Sequence, residues 1–287
     1  MPNAVVNVEV PSNGRIYAIG DVHGCYDALI ELEAKIKKSM KSGGHRRYKI
    51  LSVGDLCDRG PDTSKVIEHF VRGKQASTHD IVIGNHEMFF LLAFMGLRPD
   101  LLEMAKIELS WFHRALTGIY KSVMHQVDSW RMNGGDSVFR SYDAEINDVK
   151  TWDRIPQTHL QFLFSAPLVL LTPKAIISHA VMHEGDLEVL TTFDKNPSDT
   201  PERRVLEALH RCLWEREFPS ARIDSHKRHI SGHTPILKVR REIKIGAVQI
   251  DTGAVYGRDL TALNLSNFRS MAVTSDFTYR KPSKDLY

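Results

Sequence analysis

The sequence predicts an α/β fold built around a largely parallel sheet. Short apolar segments, typical of strands buried on both faces, alternate with segments in which apolar residues recur at helical spacing. This alternation favours parallel pairing, because each helix carries the chain back to the start of the sheet. The chain has 287 residues, of which 42% are hydrophobic and 25% charged, so it is a globular sequence long enough to bury a substantial core.

Three strand–helix units are predicted in the first third of the chain. Each strand ends in a turn, and apolar residues at spacings of three and four follow it. The predicted strands and the helices after them are 15–20 with a helix at 28–36, 49–53 with a helix at 62–71, and 81–83 with a helix at 87–94.

The alternation stops between about residues 96 and 165. Helix-like segments rich in aromatic residues replace it, with Trp111, Phe112, Tyr120, Trp130 and Trp152. We predict a helical insertion in a single domain spanning 1–287, whose core covers about 15–95 and 166–270. Further strands are predicted at 168–171, 175–178, 229–231, 247–250 and 260–265, and a loosely held polar tail at about 276–287.

Charge and cysteine usage exclude several classes of protein. The formal charge of +3 is small for this length, and basic residues form only short clusters such as 45–47 and 238–241, so we expect no nucleic-acid partner. Cys25, Cys57 and Cys212 lack disulfide or zinc-knuckle spacing and indicate a reducing compartment. No apolar run approaches the about 18 residues of a membrane span, and residues 1–14 lack secretion features, so we expect a cytoplasmic protein without membrane contact.

Polar side chains end five of the predicted strands. Asp21 and His23 are two residues apart in an extended segment, so their side chains point the same way and can bind one cation together. In open α/β sheets ligands bind at the carboxyl ends of the strands. The residues that end strands in this way are Asp21, His23, Asp55, Asn85, His179 and His233. This oxygen and nitrogen set suits Mn, Fe or Zn, and because six groups exceed the need of one ion, Asp55 is the candidate to bridge two.

These motifs resemble the calcineurin-like metallophosphoesterases, specifically the bacterial type of the Ser/Thr protein phosphatase branch. The signatures GDVHG at 20–24, GDLCDRG at 54–60 and GNHE at 84–87 match the leading motifs of the family, and His179 and GHTP at 232–235 match its later histidines. The resemblance covers about residues 15–265. One departure is that Val181 stands where the family usually has the glycine of His-Ala-Gly.

The resemblance implies a four-layer α-β-β-α sandwich with a dinuclear centre of divalent or trivalent ions, expected to be Mn with Fe or Zn as alternatives. In the family pattern Asp21 and His23 hold the first metal, Asp55 bridges, and the second is held by Asn85, His179 and His233. Two such ions can lower the pKa of a water from 15.7 towards about 7, so the nucleophile would be water.

Four further residues are candidates for catalysis and phosphate binding. His86 follows Asn85 and is free to act as general acid, and Asp58 matches the family's acid partner of that histidine. The Arg59 guanidinium suits a tetrahedral anion. Arg216 resembles a second phosphate-binding arginine of bacterial members, with a surface helix charge as the alternative. Cys25 and Cys57 are interpreted as packing residues.

The predicted function is hydrolysis of phosphomonoesters, with phosphoserine or phosphothreonine of a phosphoprotein, or a small phosphate ester, as substrate. The alternative is symmetrical dinucleoside tetraphosphate (diadenosine tetraphosphate) hydrolysis, because relatives with that activity share the GDVHGCYD opening. Those relatives commonly lack an acid at the position of Asp58 and carry Asp where this chain has Glu87, which favours the first reading. A catalytically inactive metal-binding scaffold would be signalled by loss of His86 or of a ligand, and none is lost.

Overall fold

Two mixed β-sheets lie face to face at the centre of the structure, a computed structural model that describes residues 3–120, 123–198 and 201–280. The first sheet has the strand order β11-β10-β2-β3-β4, and the second has the order β1-β5-β6-β7-β9-β8. The strands are β1 Val5–Asn7, β2 Gly14–Ile19, β3 Arg47–Ser52, β4 His79–Ile81, β5 Val169–Leu171, β6 Ala175–Ser178, β7 Arg228–Ser231, β8 Arg240–Glu242, β9 Ala247–Gln249, β10 Asp259–Asn264 and β11 Ser270–Thr274.

Apolar side chains from both sheets meet in a core between them. Ala18, Leu51 and Val82 of the first sheet belong to the same buried cluster as Ile177 and Ile230 of the second. Helices cover the outer faces, with α1 and α2 on the first sheet and α9 on the second. The layers therefore run helix, sheet, sheet, helix, which confirms the four-layer sandwich.

The helices follow the strands as the periodicity predicts, and an insertion rich in helices separates the two halves of the sandwich. Their bounds are α1 Tyr26–Ser42, α2 Thr63–Gln75, α3 Asn85–Leu97, α4 Pro99–Met104, α5 Trp111–Ile119, α6 Val123–Met132, α7 Asp136–Ser141, α8 Gln157–Phe164, α9 Asp186–Lys195 and α10 Arg203–Trp214, with a 3₁₀ helix at Val149–Arg154. Among the helices of the described ranges, none combines the length and the apolar character that crossing a membrane requires.

The buried aromatic residues of the insertion belong to the large apolar cluster that also includes α1, α2 and α3. Trp130 and Trp152 are fully buried and pack against Phe90 and Phe94 of α3, with ring centroids 5.7 Å and 5.1 Å apart. The insertion therefore packs onto the helix that begins at Asn85, so this cluster and the predicted metal site share an element.

Strand pairing is more mixed than the largely parallel pairing that the strand–helix alternation predicts. Each of the two sheets contains antiparallel as well as parallel pairs. The strands that carry the predicted ligands are nevertheless parallel to their neighbours, β2 with β3 and β4, and β6 with β7. Their carboxyl ends consequently lie at a common edge of each sheet.

Residues 277–279 run beside the loop that follows β9. The Tyr279 amide donates to the Val255 carbonyl at 2.6 Å, and Thr278 forms an isolated bridge with Tyr256. The remainder of the predicted polar tail, 281–287, lies outside the described residues.

Candidate dinuclear metal centre

The structure brings all six predicted ligands together at the carboxyl edges of the two sheets. The first sheet supplies the residues after β2, β3 and β4, and the second sheet supplies those after β6 and β7. Each of the six is at most 7% exposed; they are Asp21, His23, Asp55, Asn85, His179 and His233. Residues more than 200 positions apart in the sequence are in contact here: the His233 amide donates to Asp21 Oδ2 at 3.1 Å.

Asp55 lies in the middle of this set. Its Oδ2 is 3.4 Å from His23 Nε2, whereas its Oδ1 is 3.4 Å from His179 Nε2. The two oxygens of one carboxylate thus face different groups of predicted ligands. This is the arrangement a bridging carboxylate needs.

The predicted ligands of the second ion converge on a single point. His179 Nε2 is 2.8 Å from Asn85 Oδ1, and His233 Nδ1 is 3.0 Å from the same oxygen. The two histidine nitrogens are 3.2 Å apart. One amide oxygen and two imidazole nitrogens in this geometry form a donor set suited to a divalent transition metal.

Backbone carbonyls orient two of the imidazoles. His23 Nδ1 is 2.7 Å from the Cys57 carbonyl, and His179 Nδ1 is 2.8 Å from the Val53 carbonyl. Since a carbonyl only accepts, both rings donate through Nδ1. The Nε2 lone pairs of neutral His23 and His179 consequently point at the centre, as metal ligation requires.

The charges of the site favour bound cations. Burial, together with repulsion from Asp251 and Asp55, raises the pKa of Asp21 well above its ordinary value. Burial also raises the pKa of Asp55 to about 7, although Arg59 opposes the shift. Burial lowers the pKa of His179 to about 4, so this imidazole stays neutral at pH 7. The carboxylates lie close together among neutral imidazoles, and bound metal cations would neutralise their negative charge. The residues present therefore fit two ions.

Half of the ten non-glycine residues with positive φ in the described chain lie around the centre. His23, Asp55, Asp58, Arg59 and His233 all have positive φ, between 44° and 72°. Such strain concentrates at functional sites, where the surrounding structure holds it in place.

Two glycines permit the close approach of the loops. A Cβ at residue 84 would overlap Asp55 Oδ1, and one at residue 232 would overlap Asp21 Oδ1. Val181, where the family usually has glycine, lies outside the positive-φ set. The departure from the family pattern therefore demands no special turn after His179.

His86 lies beside the predicted ligands in a buried hydrogen-bonded chain. Its Nδ1 contacts Asp58 Oδ2 directly, and Trp130 Nε1 donates to both oxygens of Asp58 at 2.8 Å. Asp58 is fully buried, and burial raises its pKa well above the ordinary value while the Trp130 hydrogen bond opposes the shift. Because the carboxyl holds Nδ1, the Nε2 atom of His86 is left to face the cleft.

Arg59 donates to the imidazoles of His23 and His86 at once. Its Nη1 is 2.7 Å from His23 Nε2, and its Nη2 is 2.8 Å from His86 Nε2. The guanidinium also lies 5.7 Å from the ring centroid of Tyr256. The guanidinium therefore faces the Nε2 lone pair of His23 that the predicted first ion would use, so Arg59 has to turn away from His23 when an ion or a phosphate binds.

Arg216 is exposed and follows α10. Its positive charge acts on the centre, since it is among the causes that, after burial, lower the pKa values of His179 and His233. The structure thus places Arg216 on the side of the second ligand group. Its phosphate-binding role stays a prediction.

Two residues near the centre were missed by the sequence reasoning. Trp130 comes from the insertion and is the hydrogen-bond donor to Asp58, a contact that the sequence did not predict. Asp251 is buried, follows the apolar end of β9, and its charge is the second cause that raises the pKa of Asp21. The sequence could have indicated Asp251, because it is an acidic residue directly after an apolar strand, the same pattern that predicts Asp21 and Asp55 as ligands.

Glu87 organises the backbone that carries Asp55. Its carboxylate accepts from the amides of Gly84, Asp55, Leu56 and Cys57 at 2.7–3.2 Å. Glu87 thus orients the backbone that precedes and follows Asp55 and has no direct contact with a predicted ligand atom in these hydrogen bonds. Cys57 is fully buried, and burial raises the pKa of its thiol, which fits a packing residue.

Comparison with known proteins places these features in a family. The model of the calcineurin-like phosphoesterase family matches residues 14–237. The chain is 30% identical over 280 residues to a Halalkalibacterium halodurans protein named asymmetrical bis(5′-nucleosyl)-tetraphosphatase PrpE, covering 90% of this chain and 92% of that protein. It is 25% identical over 264 residues to serine/threonine-protein phosphatase 1 of Salmonella typhimurium, covering 88% and 93%.

A symmetrical bis(5′-nucleosyl)-tetraphosphatase of Klebsiella pneumoniae is 40% identical over 81 residues, which is 28% of this chain and 26% of that protein. This similarity is limited to one segment, whereas the family match extends from β2 to beyond β7 and includes all six predicted ligands. The chain therefore belongs to the calcineurin-like phosphoesterase family.

Proposed function

We propose that this metallophosphoesterase hydrolyses phosphomonoesters with poor leaving groups, of which phosphoserine and phosphothreonine in proteins are the leading candidates. The observation that supports this most strongly is the buried chain from Trp130 through Asp58 to His86. A serine or threonine alkoxide leaves only when it is protonated, and an imidazole fixed by a carboxyl is suited to supply that proton.

The six clustered residues would hold the two ions, with Asp55 between them, and we propose manganese as their identity. Two ions bound there would lower the pKa of water from 15.7 to about 7 and neutralise phosphate charge. Glu87 keeps Asp55 in place through the backbone amides on either side of it. No step requires a nucleophilic side chain.

We assign phosphate binding to Arg59 and proton donation to His86. In the structure His86 Nε2 accepts a hydrogen bond of 2.8 Å from Arg59 Nη2. When Arg59 turns its guanidinium to a substrate phosphate, this hydrogen bond is lost. Nε2 can then hold a proton and donate it to the leaving oxygen, while Asp58 stabilises the positive imidazolium through Nδ1. Arg216 would bind a second phosphate oxygen from the other side of the cleft.

Asymmetrical hydrolysis of dinucleoside tetraphosphates is the second candidate. It is favoured by the full-length similarity to the PrpE protein, which has that name. The symmetrical reaction considered from the sequence is named for a relative that is similar over 81 residues, 28% of this chain. A nucleotide phosphate is a better leaving group than an alkoxide, so this reaction would depend less on His86 and Asp58.

A single assay separates these activities. Phosphoserine and phosphothreonine peptides and diadenosine tetraphosphate are compared under the same Mn²⁺ conditions by kcat/KM, and nucleotide products are separated by chromatography. We expect a higher kcat/KM for phosphopeptides. A preference for the dinucleotide that persists in Asp58→Ala would overturn the phosphomonoester assignment, and the products would then distinguish ATP plus AMP from two ADP.

The cysteines support a proposal about the compartment. Cys25, Cys57 and Cys212 are all free and buried in the structure. Unpaired thiols are usual where the environment is reducing, and we propose that the protein works in the cytoplasm.

A further inference from the structure

A second group of possible ligands lies on the outer side of the first sheet, away from the catalytic edge. It consists of Glu33 from α1, His69 from α2 and His79 from β4. The Glu33 and His79 side chains are at most 4% exposed, whereas the His69 side chain is 22% exposed and reaches solvent. None of the three has a role in the proposed hydrolysis.

Both imidazoles point at the same carboxylate oxygen. Glu33 Oε1 is 2.5 Å from His69 Nε2 and 2.7 Å from His79 Nε2, and the two rings are nearly perpendicular with centroids 5.1 Å apart. In the catalytic centre, the rings of His179 and His233 are 5.0 Å apart at 70° and share one oxygen of Asn85. The outer group therefore repeats the arrangement of the second predicted ion site.

The surroundings of His79 hold its ring against the carboxylate. Thr78 Oγ1 donates to the Gly73 carbonyl at 3.1 Å and lies 2.9 Å from His79 Nδ1. A hydrogen bond of 2.7 Å joins His79 Nε2 to Glu33 Oε1. A cation bound between these two atoms would take the place of the shared proton.

The helix is shaped to admit this imidazole. A Cβ at residue 73 would overlap the His79 ring, so α2 has a glycine in its last turn. The position of His79 therefore constrains the sequence of the helix that packs on it.

Glu33 is available as an anionic ligand. Burial alone raises the pKa of its carboxyl, but the hydrogen bonds from His69, His79 and Lys37 outweigh burial and hold that pKa well below its ordinary value. Its second oxygen, Oε2, is 2.8 Å from Lys37 Nζ, which leaves Oε1 to the two histidines.

We propose that Glu33, His69 and His79 form a Zn²⁺ site separate from the dinuclear centre. Two imidazoles and one carboxylate are a common zinc ligand set with a fourth position open to water, and the exposed side of His69 supplies the access. The ligand atoms must separate by roughly 0.6–0.9 Å from their present spacing, because tetrahedral ligands at bonds of about 2.0–2.1 Å are about 3.3–3.4 Å apart.

Zinc at this position would tie together the elements that follow two catalytic loops. The α1 helix begins three residues after His23, and α2 begins four residues after Arg59. The ion would join these helices to the edge strand β4, so its expected effect is on stability.

The test counts bound zinc. Wild-type protein and His69→Gln are dialysed against Zn²⁺ and analysed by mass spectrometry of the metal, and the same comparison is made in the Asp55→Asn background. We expect one zinc fewer per chain in His69→Gln in both backgrounds, whether or not the dinuclear proposal holds. His159→Gln is the matched control, because His159 pairs with a single carboxylate, Glu68, at 2.9 Å, and we expect it to keep the full content.

If circular dichroism shows that His69→Gln does not fold, a second variant tests the proposal. The Lys37 side chain is 53% exposed, and removing its charge in Lys37→Gln leaves more negative charge on Glu33 for the metal. We expect Zn²⁺ to bind about two- to fivefold more tightly, the range for a partly exposed ion pair. Equal zinc content in wild type and folded His69→Gln, or unchanged affinity in Lys37→Gln, would overturn the proposal.

Discussion

At His86, burial and the neighbouring carboxyl act in opposite directions on the proton. Burial first, and then the charge of Arg59, lowers the pKa of His86 well below its ordinary value. Asp58 on Nδ1 favours the protonated ring once Arg59 has moved away. The imidazolium would therefore form with substrate bound, when the leaving oxygen can take the proton.

This account predicts a leaving-group dependence for His86→Asn. Turnover of a phosphopeptide should fall by about 10²–10⁴-fold, the range for loss of a positioned acid, whereas p-nitrophenyl phosphate should suffer less because its leaving group is stable as an anion. The measurement is kcat for both substrates at matched Mn²⁺ occupancy. An equal loss on both, or a fall in metal content, would show that His86 is no general acid.

The aspartates of the centre predict how metal binding depends on pH. The pKa of Asp55 is raised to about 7, and the pKa of Asp21 is raised well above its ordinary value, so protons compete with metal for these carboxylates below neutral pH. The pKa of His179 is lowered to about 4, so this imidazole is already neutral in that range. Mn²⁺ affinity should rise by about tenfold per pH unit for each displaced proton between about pH 5 and 7, and level off above. Calorimetry in buffers of different ionisation enthalpy counts the protons released. A flat affinity over that range would contradict the assignment of the carboxylates as ligands.

At the scale of elements, the insertion contacts the catalytic edge through an indole and a backbone carbonyl. Trp130 of α6 donates to Asp58, and the Gly134 carbonyl that follows α6 accepts from the Arg59 amide at 3.1 Å. The insertion thus supports both the acid pair and the proposed phosphate-binding loop. Its packing on α3 fixes this contact.

Trp130→Phe should separate this support from packing. The variant keeps an aromatic ring in the core but removes the donor to Asp58, and we expect kcat on phosphopeptides to fall by about 10–100-fold, as for other partners that orient a catalytic side chain. Trp152→Phe is the matched control, because Trp152 is equally buried and donates only to the Glu145 carbonyl. If both variants lose a similar amount of Tm but only Trp130→Phe loses kcat, Trp130 supports the acid pair through its hydrogen bond. Equal kcat in both variants would refute this role.

The elements that could be predicted from the sequence are those with a strong apolar signal. Strands β2, β3 and β6 are buried and were predicted within one or two residues, and the ligands followed from the polar residue after each. The strands β1, β8 and β11 were missed because they are short or exposed sheet edges, so partners far along the chain define them. The contact of Trp130 with Asp58 was hidden for the same reason, since 72 residues separate them.

At the scale of the whole molecule, the centre joins the two sheets. Asp21 and Asp55 come from the first sheet and His179 and His233 from the second, so ions at the centre would bind both halves of the sandwich at once. Ligands that bind only the native state stabilise it by mass action. The ions should therefore contribute to the stability of the entire fold.

Metal removal should lower Tm, and restoring Mn²⁺ should raise it. At 100 times the dissociation constant each ion stabilises the native state by about 2.7 kcal/mol. Asp55→Asn should lose this Mn²⁺-dependent shift in differential scanning fluorimetry. Asp186→Asn is the matched control, because Asp186 is a buried carboxylate paired with Arg211, and its variant should keep the shift whatever its own Tm. A full shift in Asp55→Asn would argue against its bridging role.

Anomalous diffraction from Mn²⁺-loaded crystals tests the dinuclear centre most directly. The account predicts two manganese peaks about 3.5–4 Å apart. One should lie beside Asp21 and His23, the other among Asn85, His179 and His233, with Asp55 contacting both. A single peak, or peaks that Asp55 does not join, would contradict the dinuclear centre.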